Sequence, residues 1–245
     1  MTQPAHSINT AMVLAAGLGS RLKPLTDTMP KPLVNVGGMP VIIRTLRALK
    51  AAGIERVVIN TCHLAPMLEA AVKAANPGLK LHFSREETLL ETGGGLKKAL
   101  PFLGEHPFLV VNGDAVWLEE RQPILRLLMN SFDVRKHDVL MAVVPTARTA
   151  VFRDHGDLVF DDTTARLAYP AGPRDKANVV FASLHVTHPA FIAACPEETF
   201  SLNKPWRGAA AAGRLHGILY DAPWVSIDTP DSLAYARALA SPQKA

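Results

Sequence analysis

Short apolar runs alternate along this chain with longer segments in which apolar residues recur at helical spacing. The runs predict buried strands, and the longer segments predict amphipathic helices. From this pattern we predict strands at 56–61, 80–84, 107–111, 138–144, 179–187 and 215–220, and helices at 40–52, 65–75, 96–100, 122–130 and 204–212, with a further helix that ends at Leu239. Strands that alternate with helices indicate an α/β fold with a mixed, mainly parallel central sheet flanked by helices.

The pattern changes between Val151 and Tyr169, where short alternating pieces are separated by polar turns. Such pieces predict an antiparallel hairpin, which we place in an insertion at about 150–178. The sequence contains no internal repeat and no low-complexity linker. We therefore expect one domain over residues 1–245, with residues 1–10 as a flexible tail.

Composition narrows the class of protein. The chain has 245 residues, of which 48% are hydrophobic, and a formal net charge of +4. Its Lys and Arg residues are scattered, which does not favour a nucleic-acid partner. It has only two cysteines, too few for a disulfide framework, and no apolar run typical of a membrane span or a signal peptide. We expect a cytoplasmic monomer that binds neither nucleic acid nor membranes.

A glycine loop follows the first apolar run and is the strongest candidate for chemistry. The run ends at Leu14, and the chain continues Ala15-Ala16-Gly17-Leu18-Gly19-Ser20. Because glycine has no β-carbon, successive backbone N–H groups in such a loop can surround a phosphate. Arg21 and Lys31 add a planar guanidinium and a compact point charge. The combination suits a triphosphate.

The loop has neither the Lys and hydroxyl ending of a P-loop nor the third glycine of a dinucleotide fingerprint. Together with Pro30-Lys31-Pro32-Leu33 it resembles the signature of the sugar-1-phosphate nucleotidyltransferases, which is Leu-Ala-Ala-Gly, a further glycine, an arginine and Pro-Lys-Pro-Leu. The resemblance implies a Rossmann-like nucleotidyltransferase fold and catalytic roles for Arg21 and Lys31. It also implies nucleotide binding by Leu14, Ala15, Ala16, Gly17, Gly19 and Ser20.

A second glycine run, Glu91-Thr92-Gly93-Gly94-Gly95, precedes the helix predicted at 96–100. By itself it indicates only a flexible turn. In the family that the chain resembles, this turn lies against the nucleobase, which implies nucleotide contacts for Gly93 and Gly94 and a sugar-phosphate contact for Glu91. The form Glu-Thr-Gly-Gly-Gly is most similar to the branch that activates N-acetylmuramate 1-phosphate with UTP.

Polar residues also follow the strand predicted at 107–111, in Asn112-Gly113-Asp114. Ligands of open α/β sheets bind at such strand ends, although an Asp after Asn-Gly is also a common turn residue. The resemblance implies that Asp114 is a ligand of Mg²⁺, a hard cation that prefers oxygen. Asn112 is expected to hydrogen-bond the sugar. Ser183 stands where the family usually has a glycine that leaves room for the sugar, so it is a candidate contact of the sugar phosphate. The insertion at about 150–178 is expected to face the sugar.

The last informative stretch is Trp224-Val225-Ser226-Ile227-Asp228-Thr229-Pro230. The family pattern is Trp, any residue, Asp, an apolar residue, Gly, Thr and Pro, in which the Asp is a second magnesium ligand. Here Ser226 stands at the aspartate position and Asp228 at the glycine position. Either Asp228 binds the metal from a shifted backbone, or it caps the terminal helix and Asp114 binds the metal with waters and phosphates.

The resemblance implies nucleotidyl transfer from a nucleoside triphosphate, expected to be UTP, to a sugar 1-phosphate, expected to be N-acetylmuramic acid 1-phosphate. The products are a nucleotide sugar and pyrophosphate, and the expected role is cell-wall recycling. Two alternatives stay open at this point. One is a guanylyl- or cytidylyltransferase for mannose-, heptose- or choline-type phosphates. The other is a nucleotide-binding protein that has lost turnover, as the altered Ser226-Ile227-Asp228 could indicate.

Overall fold

The computed structural model describes residues 8–75, 77–117, 123–149, 155–172 and 176–240. Its strands are β1 (Thr10–Leu14), β2 (Asn35–Val36), β3 (Met39–Pro40), β4 (Arg56–Thr61), β5 (Lys80–Arg85), β6 (Phe108–Asn112), β7 (Ala115–Trp117), β8 (Val139–Pro145), β9 (Val159–Asp161), β10 (Arg166–Ala168), β11 (Val179–Thr187), β12 (Leu215–Leu219) and β13 (Trp224–Ser226). Its α-helices are α1 (Leu25–Thr28), α2 (Val41–Ala52), α3 (Ala65–Ala75), α4 (Glu91–Leu103), α5 (Ile124–Ser131), α6 (Thr146–Thr149), α7 (Pro189–Ala193), α8 (Asn203–Ala211) and α9 (Pro230–Ala240).

Nine of these strands form one twisted sheet in the order β5-β4-β1-β6-β11-β8-β12-β10-β9. β5, β4, β1 and β6 pair in parallel, and β12 pairs in parallel with β8. β11 and β10 run against their neighbours on both sides. The sheet is therefore mixed and mainly parallel, as the alternation of strands and helices predicted.

Both faces of the sheet are buried, because apolar residues occupy successive positions along the central strands. In β1, Ala11 and Val13 pack into one apolar cluster, and Met12 packs into a second cluster on the opposite face. This period of two divides each buried strand between the two faces. A third cluster lies under α9, where Leu233 and Ala236 pack beside Val225.

The hairpin predicted between Val151 and Tyr169 is confirmed for its described part. β9 and β10 pair antiparallel and form the edge of the large sheet beyond β12. The predicted insertion also includes residues 150–154 and 173–175, which lie outside the described residues, as do residues 1–7 of the predicted tail. The tail prediction extends too far, because β1 begins at Thr10.

One helix begins earlier than the sequence pattern predicted. The glycine run of 91–95 forms the first turns of α4, whereas the prediction placed the helix at 96–100 after a turn. The glycines are needed for packing: a β-carbon on Gly93 would lie 2.2 Å from the Phe200 ring, and one on Gly94 would lie 2.2 Å from the Glu198 carbonyl oxygen. The segment around Phe200 therefore lies directly against the helix backbone.

No helix within the described ranges combines the length and the apolar character that a membrane crossing requires.

Two helical glycines allow a matched test of this packing. We expect Gly94→Ala to lower the free energy of unfolding by about 1–3 kcal/mol, because the added methyl group overlaps backbone that cannot move freely. Gly208→Ala in α8 is the control, since a β-carbon there meets nothing within 4 Å. We expect it to raise the free energy of unfolding by roughly 0.5–1 kcal/mol. Urea unfolding measures both, and equal effects would contradict the packing role of Gly94.

Candidate active site

The carboxyl ends of β5, β4, β1 and β6 lie along one edge of the sheet, because these four strands are parallel neighbours. Loops that follow these strands enclose a cavity of about 350 Å³. Glu86 follows β5, Ala15 follows β1, and Gly113 follows β6. The cavity therefore extends across several strand ends, which is where open α/β sheets bind ligands.

The loop after β1 is held in one shape by its own contacts. Gly19 has φ 64°, a left-handed conformation that favours glycine. A β-carbon there would lie 2.9 Å from Thr26 Cγ2 and 3.1 Å from Lys31 Cβ, and the Thr26 hydroxyl donates to the Gly19 carbonyl at 2.9 Å. Around Gly17, by contrast, a β-carbon meets no atom within 4 Å. Gly19 shapes the loop, and Gly17 leaves its backbone open to the cavity.

A buried polar network supports the loop from the side of β4 and β5. The Ala15 N–H donates to Asn60 Oδ1 at 2.7 Å, and Asn60 Nδ2 donates to Glu86 Oε1 at 2.7 Å. The other Glu86 oxygen accepts from the Leu90 N–H at 3.1 Å. A β-carbon on Gly95 would lie 2.5 Å from Glu86 Oε1, so this glycine makes room for the network.

Lys31 lies at the centre of the charged part of the cavity. Its ammonium donates to Asp114 Oδ2 at 2.5 Å and to Asp228 Oδ1 at 2.6 Å. Only 11% of the Lys31 side chain is exposed, against 24% of Asp114 and 29% of Asp228. Arg21, which is largely exposed, donates to the same Asp228 oxygen at 2.9 Å. Two carboxylates and two cations thus meet where β6 and β13 end.

These contacts shift the pKa values of Lys31 and Asp228. Burial opposes the charged form of Lys31, but the carboxylates of Asp114 and Asp228 outweigh it and raise the pKa of the ammonium. Burial likewise disfavours ionised Asp228, yet Lys31, Ser226 and Arg21 lower the pKa of that carboxyl group. Lys31 is therefore a cation and Asp228 an anion near neutral pH.

Asp114 and Asp228 also have the chemistry of magnesium ligands. Asp114 Oδ1 is buried and has no hydrogen-bond partner among the described residues, so its lone pairs are not used by the protein contacts described. Within the described ranges no group of three or more His, Cys, Asp or Glu side chains forms a metal cage. Two carboxylates are nevertheless a typical protein contribution to Mg²⁺, which takes its other ligands from water and phosphate.

The helix-cap alternative for Asp228 is wrong. Ser232 N–H donates to Thr229 Oγ1 at 3.2 Å, and Thr229 N–H donates to Ser232 Oγ at 3.0 Å. This reciprocal pair caps α9 without Asp228. The Asp228 side chain instead turns towards Lys31, Arg21 and Ser226.

Most of the residues predicted from the sequence meet in this cavity. Those that line it are Leu14, Ala15, Ala16, Gly17, Gly19, Ser20, Arg21, Lys31, Glu91, Asn112, Asp114 and Asp228. Glu91 has φ 59°, a rare conformation for a residue with a side chain. Such outliers concentrate at functional sites.

Three predicted residues do not line this cavity. The N–H groups of Gly93 and Gly94 donate to the Phe200 carbonyl oxygen at 2.8 and 3.1 Å, so they are not directed at a ligand. Ser183 is buried in β11, at a register shift between Phe181 and His185, and has φ 64°. This backbone suits a glycine, which is the residue that the family pattern has there. Ligand contacts of these three residues stay predictions.

The sequence interpretation missed Asn60, Glu86 and Thr92, which also line the cavity. Asn60 lies near the end of β4, and Glu86 directly follows β5. A polar residue at the carboxyl end of a parallel strand was the signal that had identified Asp114, and the same signal identifies these two.

A second cavity, of about 220 Å³, adjoins the first. Thr92 and Asn112 line both of them. Its apolar walls include the rings of Tyr169, Phe181 and Trp206, and Asp157, Ser201 and Asn203 are among its polar lining residues. The Arg207 guanidinium lies over the Tyr169 ring at 3.9 Å from its centroid and supports that wall. The site therefore offers two adjoining compartments.

A cavity with a glycine loop and paired cations at the carboxyl ends of parallel strands is typical of nucleotide-binding proteins, and comparisons with known proteins identify the class. The model of the nucleotidyl transferase family matches residues 10–163. The chain is 34% identical over 233 residues to N-acetylmuramate alpha-1-phosphate uridylyltransferase of Caulobacter vibrioides, which covers 93% of this chain and 95% of that protein. It is 24% identical over 228 residues to D-glycero-alpha-D-manno-heptose 1-phosphate guanylyltransferase of Aneurinibacillus thermoaerophilus, with 93% and 96% covered.

Among solved structures, the inositol-1-phosphate CTP transferase from T. maritima superimposes with a TM-score of 0.77 at 18% identity, and 98% of each chain is covered. This likeness concerns the fold. The chain belongs to the nucleotidyl transferase family. It is an enzyme of the sugar-1-phosphate nucleotidyltransferase class.

His185 lies behind the wall of the second cavity. Its ring is 5.2 Å from the Trp206 ring and 5.8 Å from the Phe181 ring, centroid to centroid. Only 1% of the residue is exposed, and neither ring nitrogen has a hydrogen-bond partner among the described residues. Burial lowers the pKa of this histidine from 6.5 to about 3.

This pKa predicts acid sensitivity. Below pH 6.5 His185 becomes protonated in the unfolded chain, whereas in the folded protein it stays neutral until about pH 3. The free energy of unfolding should therefore fall by about 1.4 kcal/mol for each pH unit in that window. We expect His185→Leu to remove this contribution, which urea unfolding between pH 7 and 5 measures. His106→Gln, at an exposed position, is the control, and an equal change in both variants would contradict the assignment.

Proposed function

We propose that this enzyme transfers a uridylyl group from UTP to N-acetylmuramic acid 1-phosphate and releases pyrophosphate. The observation that carries the choice of substrates is the similarity to the Caulobacter vibrioides enzyme, at 34% identity over 93% of the chain. The proposed place of the reaction is the cytoplasm. There the product would return a cell-wall sugar to peptidoglycan synthesis.

The proposed chemistry is a direct displacement. A phosphate oxygen of the sugar 1-phosphate forms a bond to the α-phosphorus of UTP, and the bond from that phosphorus to the oxygen bridging to the β-phosphorus breaks. Pyrophosphate leaves with this electron pair. Because no covalent enzyme intermediate is needed, the protein contributes positioning and positive charge. Lys31 and Arg21 line the cavity beside the glycine loop and are the proposed sources of that charge.

The two compartments suit the two substrates. In this proposal the nucleotide occupies the first cavity, with its phosphates at the glycine loop, and the sugar occupies the second. Aromatic rings such as Tyr169 and Trp206 are typical surfaces for the apolar faces of sugars. Asn112 and Thr92 line both cavities, so they are placed to contact the sugar phosphate where the substrates meet.

We further propose that Asp114 and Asp228 hold Mg²⁺. The support is their oxygen chemistry, the unpaired Oδ1 of Asp114 and their common contact with Lys31. A magnesium ion bound there would neutralise phosphate charge and orient the triphosphate. Asp228 lies within the charged centre despite the altered motif, which favours an enzyme over a nucleotide-binding protein without turnover.

Base and sugar are the finer points that need experiment. A guanylyltransferase and a cytidylyltransferase are among the similar proteins, so GTP and CTP are the alternatives. We expect pyrophosphate release to be fastest with UTP and N-acetylmuramic acid 1-phosphate in a matrix of four nucleotides against several sugar 1-phosphates. N-acetylglucosamine 1-phosphate is the matched control, since it lacks only the lactyl ether. Faster release with GTP or CTP and another sugar phosphate would overturn the proposed substrates.

Lys31 provides the sharpest test of the proposed chemistry. We expect Lys31→Met to lower turnover by about 100-fold or more, because the charge beside the reacting phosphate is lost. Lys23→Met is the control, since Lys23 is largely exposed and pairs only with Asp27 in the described contacts. Unfolding must be measured in parallel, because the Lys31 variant leaves Asp114 and Asp228 without their shared cation. Wild-type turnover in folded Lys31→Met would contradict the role.

A further inference from the structure

The segment from Ser226 to Asp228 is tied to Asp114 by backbone hydrogen bonds. Ser226 pairs with Ala115 in the antiparallel ladder of β13 and β7, and the Ile227 N–H donates to the Asp114 carbonyl oxygen at 3.0 Å. These bonds fix how close the segment lies to the carboxylate of Asp114. The backbone just before residue 228 is therefore held beside Asp114 by hydrogen bonds.

The backbone then makes a tight turn centred on Ile227. The Asp228 N–H donates to the Ser226 carbonyl oxygen at 2.9 Å, which closes a three-residue turn. The turn brings the side chains of residues 226 and 228 together, and the Ser226 hydroxyl donates to Asp228 Oδ2 at 2.7 Å. The Asp228 carboxylate therefore lies within hydrogen-bond distance of the side chain at position 226, although it is two residues further along the chain.

The two oxygens of Asp228 have different partners. Oδ1 accepts from Lys31 and Arg21, and Oδ2 accepts from Ser226. The terminal torsion of an aspartate has broad minima, so a carboxylate with partners on one oxygen only can rotate. The serine hydroxyl holds the second oxygen and thereby fixes the plane of the carboxylate. Asp228 is not needed to cap α9, because Thr229 and Ser232 cap that helix.

We propose that Ser226 is a positioning residue for the metal centre: its hydroxyl and the turn at Ile227 together hold Asp228 in the orientation in which it binds the divalent cation opposite Asp114. The inference rests on the proposed function, and it assigns a role to a residue that itself need not touch metal or substrate. Ser226 acts through Asp228, so its loss should weaken cation binding without unfolding the protein.

The experiment measures Mn²⁺ binding by the electron paramagnetic resonance signal of the free ion, in the presence of a non-hydrolysable UTP analogue and with no sugar phosphate. We expect Ser226→Ala to weaken Mn²⁺ binding by about tenfold, in the range of substitutions that remove a support of a metal ligand. Ser226→Thr keeps the hydroxyl and should bind Mn²⁺ nearly as wild type does. Asp228→Asn gives the reference for loss of the ligand.

Ser232→Ala is the matched control. It removes a serine hydroxyl six residues from Ser226 that accepts from the Thr229 N–H at the start of α9, so it should lower stability and leave Mn²⁺ binding unchanged. Equal Mn²⁺ binding by Ser226→Ala and wild type, or equal weakening in Ser226→Ala and Ser232→Ala, would overturn the proposal. So would an absence of Mn²⁺ binding by the wild-type protein with the analogue. If the matrix of nucleotides and sugar 1-phosphates overturned the proposed sugar, the Mn²⁺ result would still be valid, since this titration uses no sugar phosphate.

An exchange of the two residues tests the turn itself. Asp228→Ser should weaken Mn²⁺ binding, and Ser226→Asp added to it should recover much of the loss, because the two side chains lie within hydrogen-bond distance of each other. The exchanged protein has the same composition and net charge as wild type. Binding as weak as that of Asp228→Ser alone would show that the turn does not bring the two positions to one place, which contradicts the proposal.

Discussion

The contact of one ammonium group with two carboxylates is the interaction on which the site depends. Asp114 and Asp228 come from distant parts of the chain, and their charges would repel each other without a cation between them. Lys31 supplies that cation from a segment stiffened by Pro30 and Pro32. The same positive charge that holds the carboxylates together is the charge that a triphosphate would meet. The Lys31 ammonium therefore stabilises the pair of carboxylates and also supplies the positive charge of the proposed phosphate site.

Close packing of the chain against the glycines of α4 shapes the second cavity. Because α4 begins with glycines, the chain around Phe200 can approach its backbone, and the Thr92 hydroxyl accepts from the Leu202 N–H at 3.0 Å. Leu202 and Thr92 both line the second cavity. The close contact between α4 and the segment around Phe200 thus places Thr92 and Leu202 side by side at the second cavity.

The elements predicted correctly from the sequence are those with a clear period. β4, α3 and β11 have the predicted bounds, because many successive residues carry each pattern. Strands as short as β2 and β13 have too few residues to show a period. The start of α4 was mispredicted because a turn and a tight helix contact both select glycine. The contact between Asp228 and Lys31 could not be predicted from the pattern, since the two residues are 197 positions apart.

That separation in sequence has a consequence for how the site forms. The glycine loop, Lys31 and Asp114 all belong to the first half of the chain, whereas Asp228 follows β13, which pairs with β7 in a separate two-stranded sheet. Closing the long loop between these residues costs entropy, which the contacts of Asp228 must repay. A chain whose last segment has not docked has an incomplete centre. The group of two carboxylates and two cations is therefore complete only when the segment after β13 has docked, so its integrity depends on contacts between the two ends of the chain.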